Sequence, residues 1–393
     1  MKISLFLNID YQFKTNNKSL SSYLSVVLLC FLIHNPVYAQ TIQGRLMDLE
    51  TGVPISAANI YFSNYLLGTF SDDSGYFELS LPAQRPSQLV ILHVNYENKY
   101  ITISKSFIHP EKWIIELSPQ VRNLEEVIIS SKKDREWKKN LRSFTDAFFG
   151  KTENAKKCEI INPYILNFTT SKGELIAQAT ELIVIRNNAT GYKVYFHLEN
   201  FRMQDNNVSF SGKPFFEPLS STETRDQQAW NRNRKRTYMG SIRHFLKTLI
   251  DGSSFNEGYE IYYGRVDGNG NFLKRGFMTP SDLILKEKES CFLEMKEMLQ
   301  IVYTKETLGT SGQSHGSVIE DSGGSNQHEL SRLPKDQTKS NDDFQVSYIF
   351  GKRSKLAVSE TGLLERPDLI QVFGYWAEEG AADLLPFDYP IAD

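Results

Sequence analysis

The sequence predicts a mainly β protein, with a small β-sandwich first and a β-rich α+β domain with two helices after it. Nineteen Tyr and 25 Phe in 393 residues suit pleated, half-buried sheet better than a helical bundle. Between residues 40 and 120, short alternating apolar runs recur with turn residues between them. Beyond residue 133, only two stretches carry the 3.6-residue apolar period of a helix. With 40% apolar residues the chain can bury cores, which excludes wholesale disorder. Lys and Arg number 44 against 47 Asp and Glu, for a net charge of −3. With an isoelectric point near 6.2, this argues against a dedicated nucleic-acid binder. Three Cys are too few for a disulfide-dense scaffold.

Residues 1–39 read as an export signal. The apolar run Tyr23 to Ile33 follows Lys2, Lys14 and Lys18, and Val37-Tyr38-Ala39 places small residues before a cut between Ala39 and Gln40. The run is too short to span a bilayer. Asp10 and the length of the basic region are atypical of such signals, and Cys30 lacks the small preceding residue of a lipoprotein signal. No later stretch reaches 18 apolar residues, so no membrane-spanning helix is expected in the mature chain. Cys158 and Cys291 remain, either bridged in an oxidising compartment or as two buried thiols.

In residues 40–120, Ala58-Ile60-Phe62 and Phe77-Leu79-Leu81 alternate, and Leu89 to Val94 is nearly all apolar. Ile101-Ile103 and Trp113 to Leu117 follow. Turns are expected at Thr51 to Pro54, at Asp72-Asp73-Ser74-Gly75, and at Pro82 to Pro86. Asp72 and Asp73 should accept backbone N–H groups in their turn, Gly75 should take positive φ, and Phe77 should point inward. The spacing suits a small antiparallel sandwich.

The wording Gly44-Arg45-Leu46-Met47-Asp48, Thr51 to Ile55, Ala57 to Ile60 and Gly68 to Phe77 resembles the carboxypeptidase regulatory-like domain. The resemblance implies a transthyretin-like, seven-stranded β-sandwich. Ser71 stands where that family usually has Thr, and Asn95-Tyr96 replaces its Gly-Tyr. In zinc carboxypeptidases the metal is held elsewhere, through a His-x-x-Glu pair and a distant His. None of the seven His here has Glu three residues on, so neither a zinc site nor another cofactor is expected.

Residues 121–133 read as a linker, in which Leu124 to Ser130 resembles the stretch joining this sandwich to the plug of TonB-dependent receptors. Residues 134–393 are too few and too irregular for a receptor barrel. Trp137, Leu141, Phe144 and Phe148 share one face of a helix that Gly150 should end. Strands are expected at Leu175 to Ala179, Leu182 to Ile185 and Tyr192 to Leu198, with His197 on the polar face. Tyr259 to Tyr263 and Phe272-Leu273 should form a hairpin around the turn Asp267 to Asn271. Leu299 to Tyr303 should pair with Phe344 to Phe350. The segment between them, residues 305–343, holds five Gly, seven Ser and no aromatic residue, so a disordered insertion is expected. Its Gly312-Gln313-Ser314-His315-Gly316 matches a nucleophile elbow without the flanking strand and helix that the elbow needs. Residues 369–389 read as a final strand and a packed tail.

One helix is expected from Gln228 to Ile250, and its first half is basic. From Arg225 to Lys247 the net charge is +6, carried by Arg225, Arg232, Arg234, Lys235, Arg236, Arg243 and Lys247 against Asp226. Such a row can hold phosphate or carboxylate groups of lipopolysaccharide, a glycan or an acidic protein, or it can be solvated and paired internally. Trp230 beside it can stack on a ligand or enter a core.

Trp137 to Phe149, Cys158 to Pro163, Ser211 to Phe216 and Gly240 to Leu249 are similar to the body of carboxypeptidase-like regulatory-domain proteins of Gram-negative envelopes. That resemblance implies no activity. The expectation is a non-catalytic exported protein of the periplasm or outer membrane, or a secreted one, with a binding or assembly role. One alternative is an accessory component of a TonB-dependent uptake system, docked on an outer-membrane protein. Another is a peptide or glycan hydrolase using carboxylates such as Glu257 with Glu260, or Asp383 with Asp388.

Overall fold

The computed structural model describes residues 41–66, 68–82, 88–103, 113–120, 131–205, 207–287, 290–307, 344–351, 355–364 and 366–389. The expected signal, its Ala39–Gln40 cut, residues 121–130 of the linker and residues 308–343 of the insertion, with its Gly-x-Ser-x-Gly match, lie outside the described residues. Thr41–Asp393 is one compact unit.

Seven strands build the sandwich: β1 (Thr41–Asp48), β2 (Asn59–Phe62), β3 (Gly68–Phe70), β4 (Tyr76–Ser80), β5 (Gln88–Leu92), β6 (Lys99–Thr102) and β7 (Trp113–Leu117). One sheet has the order β4-β1-β7 and the other β3-β2-β5-β6. The pairing of β1 with β7 is parallel, from Gly44↔Trp113 to Asp48↔Leu117, so the sandwich is not wholly antiparallel as expected. The alternation in β1 buries Ile42, Gly44, Leu46 and Asp48, and the apolar members meet Ile60, Phe77, Leu89 and Ile115 in the core. In the acidic turn, Asp72 Oδ1 accepts from the Ser74 and Tyr76 amides at 2.8 and 2.9 Å. Gly75 has φ +73° and Phe77 is buried, whereas Asp73 stands exposed.

Helix α1 (Ser131–Phe149) opens the body and ends at Gly150, whose φ is +82°. Its apolar stripe buries Phe144 and Phe148 against a six-stranded sheet. That sheet contains β8 (Cys158–Ile160), β9 (Leu166–Ser171), β10 (Glu174–Ala179), β11 (Ile183–Asn187), β12 (Tyr192–Gln204) and β13 (Asn207–Pro218). β12 and β13 form a long hairpin with a register shift between Leu198 and Asn200.

Two helices follow, α2 (Thr224–Tyr238) and α3 (Ile242–Asp251), where the sequence suggested one continuous helix. The break has a local cause. Gly240 takes φ +81°, and the Ser241 hydroxyl accepts from the His244 amide at 3.2 Å as a fresh N-cap.

The third core lies under a five-stranded sheet of order β15-β14-β18-β19-β21. Its strands are β14 (Tyr259–Val266), β15 (Phe272–Phe277), β18 (Met298–Thr307), β19 (Phe344–Gly351) and β21 (Ile370–Gly374). A smaller sheet of β16 (Ile284–Glu287), β17 (Ser290–Glu294) and β20 (Lys355–Val358) shares that core, with the short helix α4 (Pro280–Leu283) beside it. β14 and β15 pair as expected, and Asp267 Oδ1 accepts from the Asn269 and Asn271 amides at 2.8 Å in their turn. Leu299 pairs with Ile349 and Tyr303 with Gln345. In β19 the buried phase is Gln345, Ser347 and Ile349, and Phe350 is exposed. In that phase Ser347 Oγ accepts from the Trp376 amide at 3.2 Å.

The sandwich does not hang from the body. The outer face of its four-stranded sheet presents Tyr61, Val90 and Leu92, which bury against Phe215 together with Leu182 and Tyr195. Phe215 lies between Tyr61 at 4.4 Å and Tyr195 at 4.6 Å. The Tyr61 hydroxyl donates to Lys213 O at 3.0 Å, and the Phe216 amide donates to Tyr65 O at 3.0 Å. His197 belongs to this junction, with Nε2 3.2 Å from the Tyr100 hydroxyl and 3.3 Å from Asn98 Nδ2.

Residues 375–389 then run across all three cores. Trp376 enters the third core and donates its indole N–H to Gly240 O at 2.7 Å. Ala381 and Ala382 are buried in the core under α1, and Phe387 packs on the sandwich core.

Candidate functional site

The basic residues expected at one site divide sharply between interior and surface. Along α2, Trp230, Asn233, Arg234 and Thr237 recur at the spacing of a buried stripe, yet none is aliphatic. Trp230 Nε1 donates to Asn188 O at 3.1 Å, and Asn233 Nδ2 to Ala189 O at 2.8 Å. Arg234 donates from Nε to Thr190 O at 2.6 Å and from Nη2 to Gly191 O at 3.2 Å. The inner face of α2 thereby captures four successive carbonyls of the turn between β11 and β12. The Arg234 guanidinium also lies 4.1 Å over the Tyr192 ring. Thr237 Oγ1 accepts from Asn154 Nδ2 at 2.8 Å. Only Tyr238 of this helix is fully buried, so polar bonds take the place of the usual apolar face.

Arg243, on α3, holds the tail, donating from Nη1 to Pro386 O at 3.1 Å and from Nη2 to Phe387 O at 2.7 Å. Burial lowers its pKa from the ordinary value, with Tyr238, Tyr65 and Asp388 opposing that shift. Lys247 Nζ pairs with Asp251, 2.6 Å from Oδ1. Of the seven basic residues of the row, Arg234 and Arg243 are committed to backbone carbonyls and Lys247 to a surface ion pair within its own helix. Arg232, Lys235 and Arg236 remain exposed on the outer side of α2, with Arg225 two turns toward its N-terminus. With Arg225 they occupy positions i, i+7, i+10 and i+11, which place them on one strip of the helix. Trp230 is occupied under the turn rather than offered to a ligand.

Next to this strip lies a part-buried polar cluster that sequence reasoning missed. Thr152 Oγ1 donates to the Asp383 carboxylate at 2.8 and 2.9 Å, Asn154 Nδ2 donates to its Oδ1 at 2.8 Å, and the Gly380 amide lies 3.3 Å from Oδ2. Burial raises Asp383 to about 6, against the lowering effects of those bonds and of Arg236. Nothing in the spacing of residues 152, 154 and 383 could have signalled the cluster.

His244 is buried, and its Nδ1 lies 2.8 Å from the Tyr259 hydroxyl and 3.2 Å from the Gly240 amide. Burial lowers it to about 4, so it is neutral at physiological pH. Cys158 and Cys291 are both free thiols. Cys158 Sγ sits 3.3 Å from Asn154 O, and burial pushes its thiol up to about 12. The bridge that the sequence allowed is absent, with Cys158 on β8 and Cys291 on β17.

The carboxylate pairs considered for hydrolysis are engaged separately. Glu257 pairs with Lys305 at 3.0 Å, and Glu260 accepts from the Tyr262 hydroxyl at 2.8 Å. Asp388 Oδ1 accepts from the Leu66 amide at 3.2 Å. Among the described residues there is no group of three or more His, Cys, Asp or Glu placed to hold a metal ion. No helix among them is long and apolar enough to cross a membrane.

Sandwich and body together define the class as a regulatory-like β-sandwich fused to a larger β-rich domain. Residues 42–129 match the family model of the CarboxypepD_reg-like domain. No curated protein matches the chain. Among solved structures, a 9R-lipoxygenase from Cyanothece PCC8801 aligns over 60% of this chain and 55% of its own, at 9% identity and a TM-score of 0.18. The chain thus spans about half of that enzyme, and a likeness of this degree carries no argument.

Proposed function

We propose that this is an exported, non-catalytic protein of the cell envelope that binds an acidic partner along the outer face of α2. The observation that carries this reading is the division of the basic residues. Arg234 is consumed in fixing the helix, while Arg232, Lys235 and Arg236 face outward from a helix that has almost no apolar reason to be there. A guanidinium suits phosphate and carboxylate oxygens through paired N–H donors. The net −3 of the whole chain makes the attraction local to that strip rather than a property of the whole surface. An outer-membrane protein, a glycan or lipopolysaccharide offers the required acidic groups. Export rests on the signal-like residues 1–39, and an envelope location on the sandwich type.

The reading as an accessory of a TonB-dependent uptake system rests on residues 124–130, which lie outside the described residues. The hydrolase reading gains nothing from carboxylates already engaged in structural bonds.

Mild crosslinking in the native host, followed by purification of the tagged protein from solubilised envelope, tests the proposal. An acidic partner should co-purify with the wild type and be lost when Arg232, Lys235 and Arg236 are changed to Ala. A soluble protein recovered alone, or a partner retained by that variant, overturns it. Recovery of a barrel receptor would select the uptake role.

A further inference from the structure

We propose that the tail, residues 375–389, is a proton-operated clasp, closed when the Asp383 carboxyl carries a proton and loosened when it is ionised. The segment is the one described stretch whose side chains enter all three cores, through Trp376, Ala381 with Ala382, and Phe387. Asp383 sits at its middle and joins it to the loop after α1 through Thr152 and Asn154. Through Asn154 and Thr237 the same cluster reaches α2.

The reason lies in the count of donors and acceptors. Asn154 is buried, its Nδ2 gives both protons away, and its Oδ1 has no partner. The cluster is therefore one donor short. A proton on Asp383 supplies a new O–H donor on the carboxyl that Asn154 already contacts, and it removes a carboxylate charge whose hydrogen-bond donors are all neutral. The titratable groups acting on Asp383 from neighbouring elements are few. Arg236 of α2 favours the ionised form. The Cys158 thiol on β8 stays protonated. In the turn that also packs on the tail, Glu153 pairs with Lys156, with Lys157 and Arg236 nearby. The tail carries three other carboxyls: Glu378 and Glu379, whose backbone meets Lys151 and Gly150 in the loop after α1, and Asp388, which faces Arg243.

The direction in pH follows from linkage. The carboxyl is raised from 3.8 to about 6 in the closed state, so the closed state holds more protons than the open one between those values. Closure is fully favoured below about pH 4 and weakens as pH rises through 6. Across that interval the opening constant grows about tenfold per pH unit, up to about 100-fold in all.

Hydrogen exchange at residues 380–384, corrected for intrinsic rates and compared with β12, measures that opening. Wild-type protection should fall by up to about 100-fold between pH 4 and 7. Asp383→Asn should lose that slope, whereas Asp388→Asn should keep it at the same residues. Arg236→Gln removes the facing cation, so its transition should move to higher pH. That displacement keeps the test decisive if Asp383→Asn fails to fold. A flat wild-type profile, an unchanged slope in Asp383→Asn, or an unmoved transition in Arg236→Gln overturns the clasp.

Discussion

Trp230 lies directly beneath Gly191: a methyl group built on the glycine would sit 2.2 Å from Trp230 Cδ2, and the glycine backbone has φ +69°. The turn between β11 and β12 is therefore shaped for the helix that covers it. Gly191→Ala meets both a close contact and a left-handed backbone. It should destabilise the fold by about 2–3 kcal/mol, read as a lower thermal midpoint with a change in Trp fluorescence. An unchanged midpoint would show that α2 can lift without cost.

Arg234 and Arg232 are two residues apart and should behave oppositely. Arg234→Ala leaves the carbonyls of Thr190 and Gly191 without their charged donor, at a cost of about 1.5–3 kcal/mol. Arg232→Ala removes an exposed side chain and should stay within about 0.5 kcal/mol of wild type. Chemical denaturation of the two variants compares them directly. Equal losses would contradict the division between an anchoring and a presenting face.

Phe215 joins sandwich to body, stacked on Tyr195 and packed on Tyr61. Phe215→Ala should cost about 3–5 kcal/mol. Because the loss falls at the junction, calorimetry should resolve two transitions where the wild type gives one. A single transition at the wild-type temperature would mean that the sandwich is held without this contact.

Asp383 and His244 pull stability in opposite directions over one pH range. His244 is lowered from 6.5 to about 4, so the folded state holds fewer protons than the unfolded state between those values. Its contribution is present above pH 6.5 and is lost as pH falls through 4. Asp383 is raised to about 6, and its contribution is present below 3.8 and is lost as pH rises through 6. Asp383→Asn should therefore make the thermal midpoint climb more steeply with pH between 4 and 6, and His244→Gln should make it fall. Midpoints that track wild type in both variants would refute the assignment.

The sandwich was legible because its information is local. Alternation in β1, the turn at residues 72–75 and the restart at Phe77 each depend on neighbours a few residues away, and the family wording added the strand number. The α1 stripe was legible for the same reason. The candidate site was legible only as a run of charge. Gly240 was visible in the sequence, but its power to break the helix depended on Ser241 capping anew and on Trp376 taking the Gly240 carbonyl from 136 residues away.

By itself, the sequence determined the β-rich class, the regulatory-like sandwich, the hairpins and the presence of a basic segment, since period, turn chemistry and composition act over short distances. Only the tertiary structure decided which cations face water, that Cys158 and Cys291 are unbridged, and where Asp383 and His197 find their partners. Those outcomes depend on backbone carbonyls and side chains brought together from distant parts of the chain. A carbonyl has no residue identity to read, so a helix pinned to four of them leaves its partners unnamed in the sequence.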